Sequence, residues 1–443
     1  FSRLTLGYNN LAQGTNRFAE SDAWSEALNY QMARVHYKFN DRYLITGTIR
    51  RDGFSGFAKN NKYGVFPTVA VGWIISEEGF MKDVKFVNSL KLRAGYGING
   101  NQTSRYTSIA RVDANNSYVF GDGGTTAFGQ QVSTLGNDDL AWEQTKGLNF
   151  GIDFGLLANR LTGTLDFYQN KTDDLLYSIN IPAITGFSNI RTNVGQIKNT
   201  GFEAAINYGI IRNKDLRWDA TLNFSTNTNE VVTINGVDAD GDGKEDDLVS
   251  SGLFIGQPIG TIYDYELDGI YQLNDPRLPG FQVGTRRIVD QNKNGDISQQ
   301  DDRIILGKRE PAYRWSFANT VAYKNLSLFV FINAVQGGNN GFLGNNNPSF
   351  FREDNTIRIN DLVGIDYWSP NNPNGKYPRN VSGTRAKFDP NNWQSRSFVR
   401  LQDVTLSYNF SSMLKKLELQ NLSFYISGRN LFTWTNWEGW DPE

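Results

Sequence analysis

The sequence predicts an all-β protein, a transmembrane antiparallel β-barrel. Three observations predict it. Apolar and polar residues alternate with period two over segments of about nine residues and longer. The connections between these segments alternate between short and long. No segment is apolar enough to cross a membrane as a helix. The alternation is plain in Leu326, Leu328, Val330 and Ile332, which interleave with Ser327, Phe329, Phe331 and Asn333. Leu216, Trp218, Ala220, Leu222 and Phe224 interleave with Arg217, Asp219, Thr221, Asn223 and Ser225. Leu422, Phe424 and Ile426, and likewise Leu90, Leu92, Ala94, Tyr96 and Ile98, repeat the pattern. Successive strand side chains point to opposite faces, so each segment carries one apolar and one polar face. Segments of this length suit tilted membrane strands, which need about 9–11 residues.

Taken in order, the expected strands are 2–8, 24–39, 43–51, 62–76, 88–99, 141–155, 160–171, 198–211, 215–228, 313–323, 325–336, 396–410 and 421–433. Short connections fall at Asn40-Asp41-Arg42, Ala158-Asn159-Arg160, Arg212-Asn213-Lys214 and Lys324-Asn325. Intermediate ones span 77–87 and 411–420, where Ser411–Leu419 suits one helical turn. Long ones span 9–23, 52–61, 100–140, 172–197, 229–312 and 337–395. Short periplasmic turns and long extracellular loops produce this rhythm in outer-membrane barrels. The segment 337–395 is rich in turn formers: Gly337-Gly338-Asn339-Asn340-Gly341, Asn345-Asn346-Asn347-Pro348, and Pro370, Pro373, Pro378 and Pro390. No repeat beyond the hairpin rhythm and no domain linker is visible within residues 1–443.

Composition agrees. The chain of 443 residues is 39% hydrophobic, 13% aromatic and carries 44 glycines. Its mean hydropathy is −0.48. Runs such as Leu328–Ile332 fall far short of the ~18 residues of a membrane helix. Length alone suggests about three domains, a prior that large barrels exceed. Charge is balanced, 44 Lys+Arg against 46 Asp+Glu, which gives no basic excess for nucleic acid. Cysteine is absent, which excludes disulfides, thiolate zinc sites and a Cys nucleophile. His36 is the only histidine, so most His-based metal and acid–base chemistry is excluded, and it reads as an ordinary strand residue. The chain begins with Phe1 and shows no signal-peptide pattern, so a processed chain or a fragment is expected.

Two acidic segments in 229–312 carry metal-ligand spacing. In Asp290-Gln291-Asn292-Lys293-Asn294-Gly295-Asp296-Ile297-Ser298-Gln299-Gln300-Asp301, oxygen ligands stand at positions 1, 3 and 5, with Gly295 at the sharp turn and Asp301 at position 12. That matches a calcium loop, with Asp296 offering its backbone carbonyl and Asp301 a shorter arm than the usual Glu. The other reading is an Asx-rich turn closed by its own hydrogen bonds. In the second run Asp238, Asp240 and Asp242 hold positions 1, 3 and 5 and Asp246 position 9, but Val249 stands at 12. Carboxylates so close repel unless a cation neutralises them, and the alternative is a solvated loop tip. The expected cofactor is structural calcium, stiffening the loop.

Gly95-Tyr96-Gly97-Ile98-Asn99-Gly100 fits a dinucleotide pattern but continues a strand and opens no helix, so that reading fails. No carboxylate spacing singles out a hydrolytic pair, and an enzyme is not expected. Loop aromatics include Tyr118 and Phe120, Phe350 and Phe351, Tyr367 and Trp368, and Trp393. Phe350, Phe351, Tyr367, Trp368 and Trp393 are candidates for gripping substrate or partner; loop self-packing is the alternative. Trp73, Trp218, Trp315, Trp434 and Trp437 suit interfacial girdles.

Further residues carry a family resemblance. Arg50-Arg51-Asp52-Gly53, Tyr63-Gly64-Val65-Phe66-Pro67 and Val71-Gly72-Trp73 resemble a block of the SusC/RagA-type TonB-dependent outer-membrane transporters. Leu90-Lys91-Leu92-Arg93 with Tyr96-Gly97 and Gly100-Asn101-Gln102 is similar to the next block. Leu140, Trp142-Glu143, Thr145, Asn149, Gly151, Asp153-Phe154, Asn159-Arg160, Asp166, Tyr168 and Thr172–Leu176 follow in family order, then Pro182, Gly186, Asn193, Gly195, Asn199, Gly201 and Glu203. Asp290–Arg303 resembles the family's acidic loop, and Arg429-Asn430-Leu431-Phe432 with Gly439 and Asp441-Pro442-Glu443 its C-terminal block.

The resemblance implies a barrel of roughly 22 strands around a plug, of which this chain would supply about thirteen as the C-terminal half to two-thirds. The plug, the TonB-contacting segment and the early strands would lie outside it, as would the last strand. It implies TonB-energised import of oligosaccharides or peptides across the outer membrane of Bacteroidetes-type bacteria, with a SusD-like lipoprotein as lid and the lipid bilayer as solvent. Loops 229–312 and 337–395 would then meet the lid. From the residues alone, a passive porin or surface-binding barrel and a soluble all-β carbohydrate-binding protein stay open.

Overall fold

The computed structural model describes residues 24–119, 124, 126–339, 366–379, 387–388, 390–410, 422–439 and 441–443. Twelve strands form one antiparallel sheet in sequence order. They are β1 (Leu28–Phe39), β2 (Tyr43–Phe54), β3 (Tyr63–Ile74), β4 (Val87–Asn101), β5 (Glu143–Leu156), β6 (Leu161–Asp173), β7 (Gln196–Arg212), β8 (Leu216–Thr233), β9 (Tyr313–Tyr323), β10 (Leu326–Gln336), β11 (Phe398–Asn409) and β12 (Ser423–Thr435). The strand expected at 2–8, the helical turn at 411–419, and Phe120, Phe350 and Phe351 lie outside the described residues.

Register holds one face apolar across the whole sheet. Leu328 on β10 stands opposite Val321 on β9 and Leu406 on β11. Ile152 on β5 stands opposite Leu92 on β4 and Leu165 on β6, and Phe202 on β7 opposite Phe167 on β6. Val71 on β3 faces Ile45 on β2, which faces Tyr37 on β1. A one-residue slip in any pair would turn that strand's apolar set to the polar side, so the pattern itself fixes register. Large apolar side chains on this face lie open, Val35 at 70% and Phe424 at 67% exposure. An apolar surface continuous across twelve strands is a face built for lipid.

The short ends are tight. Asn40 and Asp41 adopt φ of 49° and 56°, and the Arg42 amide donates to the Phe39 carbonyl at 3.0 Å. Such a turn matches the twist of the strands it joins, and Asn and Asp tolerate it best. At the same end Glu78 accepts hydrogen bonds from Tyr43 Oη at 2.6 Å, Trp73 Nε1 at 3.0 Å and Arg42 Nη1 at 3.1 Å. The phenol and indole donors, with Arg42, hold the Glu78 carboxyl below its ordinary 4.5. Trp73 thus keeps the girdle position expected of it, with its polar edge satisfied and its ring half-open.

The long connections hold more structure than expected. Short hairpins form within them at Arg111–Val119 with Thr126–Thr134 and at Leu176–Asn180 with Asn189–Asn193. Thr261–Tyr265 pairs with Arg303–Lys308, and Leu267–Ile270 with Arg286–Ile288. β7 and β8 run for 17 and 18 residues, past the apolar band. Their long-loop ends are Asn- and Thr-rich, so hydropathy alternation stops where the hydrogen-bond ladder continues.

At the long-loop end Phe54, Phe57, Phe66, Leu140, Trp142 and Leu176 form a buried cluster with Ile98 against it. Phe66 of the Phe-Pro pair belongs to this cluster, and the Arg-Arg-Asp-Gly residues directly precede Phe54 on β2. Arg50 pairs with Asp52 at 2.7 Å, and Arg51 lies over the Tyr63 ring at 4.0 Å.

Candidate functional site

Two regions can do chemistry of recognition: the polar face of the sheet and the loops at its long end. On the polar face, Arg93 of β4 reaches across β5 to β6. Its guanidinium binds Asp153 through Nε at 3.0 Å, and Asp166 through Nη1 and Nη2 at 3.0 Å each. Lys91 adds a longer contact to Asp153 at 3.6 Å. Gly151 makes the crossing feasible, because a Cβ there would stand 2.5 Å from the Arg93 guanidinium carbon. The fork geometry of Arg fits two carboxylates at once, which Lys cannot reproduce. Farther along, Glu203, Asn223, Ser225, Arg314, Ser316, Phe331 and Asn333 line a concavity of about 560 Å³ on this face. This is a polar, charge-bearing surface, the counterpart of the apolar face.

The loops 229–312 and 337–395 pack on each other. Tyr265, Tyr271, Phe281, Ile288 and Ile297 form a small core, covered by Leu267 and Leu278 of the same loop and by Phe388 of the other. Trp368 is only 4% exposed, and its indole donates to Gln272 Oε1 at 2.9 Å. Gly284, at φ +81°, leaves space for that ring; a Cβ would come within 2.6 Å of it. The Arg379 amide donates to the Gly284 carbonyl at 2.9 Å and the Lys387 amide to the Gly280 carbonyl at 2.9 Å. Trp393 donates to Asp264 Oδ2 at 2.9 Å, with Arg309 over its ring at 5.1 Å. Tyr367 is half-buried beside Tyr377 and Trp437. Trp368 therefore follows the self-packing alternative, and its ring is not open to grip substrate or partner. The sequence could not separate the two because a ring among turn formers looks the same either way. The girdle reading of Trp437 is corrected: at 6% exposure it is buried against Tyr377 beyond the end of β12, not in a girdle. Its neighbour Glu438 binds Tyr377 and Lys376, and Arg400 of β11 holds Asp441 and Glu443.

The acidic segments fold as nested Asx turns. Asp290 accepts from the amides of Asn294 at 3.2 Å and Gly295 at 2.8 Å, Asn292 from Asn294 at 3.0 Å, and Asn294 from Asp296 at 2.8 Å. Asp301 accepts from Ser298 Oγ at 2.9 Å. Asp296 turns its side chain to Lys387 at 2.6 Å, which lowers its carboxyl from the ordinary 3.8 and ties the acidic turn to the other loop. Asp302, overlooked in the sequence, is fully buried and accepts from the amides of Gln291 at 2.9 Å and Ser298 at 2.7 Å. Only its place beside Asp301 hinted at it. In the second segment Asp238, Asp240 and Asp246 bring carboxylate oxygens within 4.8 Å of one another. Asp242 is not among them; it accepts from the Lys244 amide at 2.8 Å. Glu245, beside them, gathers the amides of Ile234 at 2.7 Å and Gly236 at 2.6 Å. His36 lies exposed on β1, its Nδ1 2.8 Å from Thr46 Oγ1, as expected of a strand residue.

An antiparallel sheet with one apolar and one polar face, and with its long connections at one end, is the architecture of an outer-membrane β-barrel. The profile of the family described as TonB dependent receptor-like, beta-barrel matches residues 2–333. The chain belongs to that family, in its SusC/RagA branch, and its place is the outer membrane. It is 34% identical to TonB-dependent receptor P3 of Formosa agariphila over 99% of this chain and 44% of that protein. It is 31% identical to TonB-dependent receptor SusC of Bacteroides thetaiotaomicron over 93% of this chain and 41% of that one. The solved RagAB peptide transporter superposes with a TM-score of 0.72 at 26% identity, over 94% of this chain and 45% of that one. The chain thus spans less than half the length of these relatives. Family membership sets aside the soluble carbohydrate-binding alternative.

Proposed function

We propose that the protein to which this chain belongs imports oligosaccharides or peptides across the outer membrane, energised by TonB and working with a SusD-like surface lipoprotein. Nutrient import is the coarser reading that the family supports. The observation carrying the finer one is the mutual locking of loops 229–312 and 337–395 through Trp368, Trp393, Arg379 and Lys387. A preorganised surface lowers the ordering cost of docking a partner, and long ordered loops are characteristically functional. The resemblance to RagAB, described as a peptide transporter, and to SusC keeps both substrate classes in the reading. Deleting 340–390 from the full-length receptor is expected to abolish most uptake while the protein still inserts and stays heat-modifiable on a gel. Normal uptake by that variant rejects the loop role.

Calcium belongs to the same proposal. Asp290, Asn292, Asn294 and Asp301 would supply side-chain oxygens and Asp296 its carbonyl, at about 2.3–2.6 Å. The second segment would use Asp238, Asp240 and Asp246. The donor set is all oxygen and partly charged, which suits a hard cation. Chelation is expected to raise the rate at which protease cuts within 229–312, with restoration by calcium. An unchanged cleavage rate removes calcium from the account.

A further inference from the structure

The outward face of the sheet does not stay apolar to its long-loop end. Phe150, Phe167 and Phe202 stand side by side across β5, β6 and β7. Four residues farther along each of these strands toward the loops stand Lys146, Lys171 and Lys198, again side by side: Lys146 opposite Lys171, and Lys171 opposite Lys198. Parity places all three on the lipid face, since side chains an even number of residues apart share a face. At about 3.3 Å per residue and a strand tilt of about 40°, the lysine row lies roughly 10 Å above the phenylalanine row along the membrane normal. With the phenylalanine row within the outer half of the hydrocarbon, that rise brings the lysines to the headgroup layer.

Like charges directly opposite on neighbouring strands destabilise a sheet. Here two lysines are partly answered by acids: Lys146 by Asp173 at 2.7 Å, and Lys198 by Glu230 at 2.5 Å. Lys171, in the middle and exposed, forms no ion pair among the described residues. The row keeps an excess positive charge where it meets a leaflet surface. We propose that Lys146, Lys171 and Lys198 form a site for a phosphate-bearing lipid headgroup of the outer leaflet. The acyl chains would lie on the apolar band at Phe150, Phe167 and Phe202, and the phosphate would sit between the ammonium groups. The occupant is a lipid because the row is continuous with the lipid face, which no soluble anion would need.

The test uses full-length receptor, delipidated in detergent and titrated with lipid A and with dephosphorylated lipid A, bound lipid being counted by native mass spectrometry. The expected result is at least tenfold tighter binding of the phosphorylated lipid, from roughly one favourable increment per surface lysine. A Lys146→Gln, Lys171→Gln, Lys198→Gln variant should lose that preference. A control with Lys82→Gln, Lys85→Gln and Lys214→Gln, at the short-turn end, should keep it. Millimolar inorganic phosphate should not displace the lipid. Equal binding of the two lipids by the unaltered receptor overturns the site, and that arm decides the matter even if the triple variant fails to insert. Retention of the preference in a folded triple variant, or displacement by free phosphate, also overturns it.

Discussion

Replacing Val330 with Arg is expected to destabilise the inserted full-length receptor by about 2–4 kcal/mol, the cost of a charge at mid-bilayer on the lipid face of a barrel. Val330 lies in the middle of β10, between Asn319 on β9 and Val404 on β11, and on the side that carries Leu326, Leu328 and Ile332. Thr405→Arg, one step away on the opposite face of β11, should cost much less. Thr405 already donates to Asp403 at 3.1 Å, so an Arg there meets water and a carboxylate. Denaturant unfolding from lipid vesicles reads the difference. Equal costs at the two positions would mean that the faces are not solvated differently.

Trp368→Ala is the second large effect. The ring is buried against Gly284, and truncating a buried Trp costs about 3–5 kcal/mol. It also leaves the Gln272 side-chain oxygen without its donor. The loss should be local: the loop pair should open while the sheet, whose hydrogen bonds are elsewhere, stays intact. Limited proteolysis within 261–302 should become fast in Trp368→Ala. In Trp368→Phe, which keeps the packing and loses one hydrogen bond worth about 1 kcal/mol, it should be only slightly faster. Unchanged cleavage in the Ala variant would show that Trp368 does not hold the loops together.

These two variants mark where sequence was informative and where it was not. The face of Val330 was legible because lipid imposes period two on every spanning strand: β10 sets aliphatic residues at 326, 328, 330 and 332, although Phe329 and Phe331 interrupt the polar side. Its facing followed, since a one-residue slip would set Leu328 on the side away from Val321 and Leu406. Trp368 and Trp437 were not legible. Loop rings obey no period, and their burial depends on residues about a hundred positions away, such as Gln272 for Trp368. The hairpin Arg111–Val119 with Thr126–Thr134 was missed for a related reason: it is solvated on both sides, so no alternation marks it. Arg93, Gly151, Asp153 and Asp166 were visible as family positions, yet their joint geometry needs three neighbouring strands. The lysine row arises from register between strands, which no single segment displays. The acidic segments were legible as spacing, but Asp302 became visible only through its burial.

The central claim is that one face of this sheet meets lipid and the other water. This chain contributes no cysteine, so single cysteines introduced from position 326 to 333, in a full-length receptor whose remaining cysteines are replaced by serine, report their own surroundings. Each is spin-labelled in native outer membrane, and its collisions with oxygen, which partitions into lipid, and with a water-soluble nickel complex are measured. The account predicts strict alternation: oxygen-accessible at 326, 328, 330 and 332, nickel-accessible at 327, 329, 331 and 333. Labels that report water, or lipid, at successive positions without alternation would contradict it.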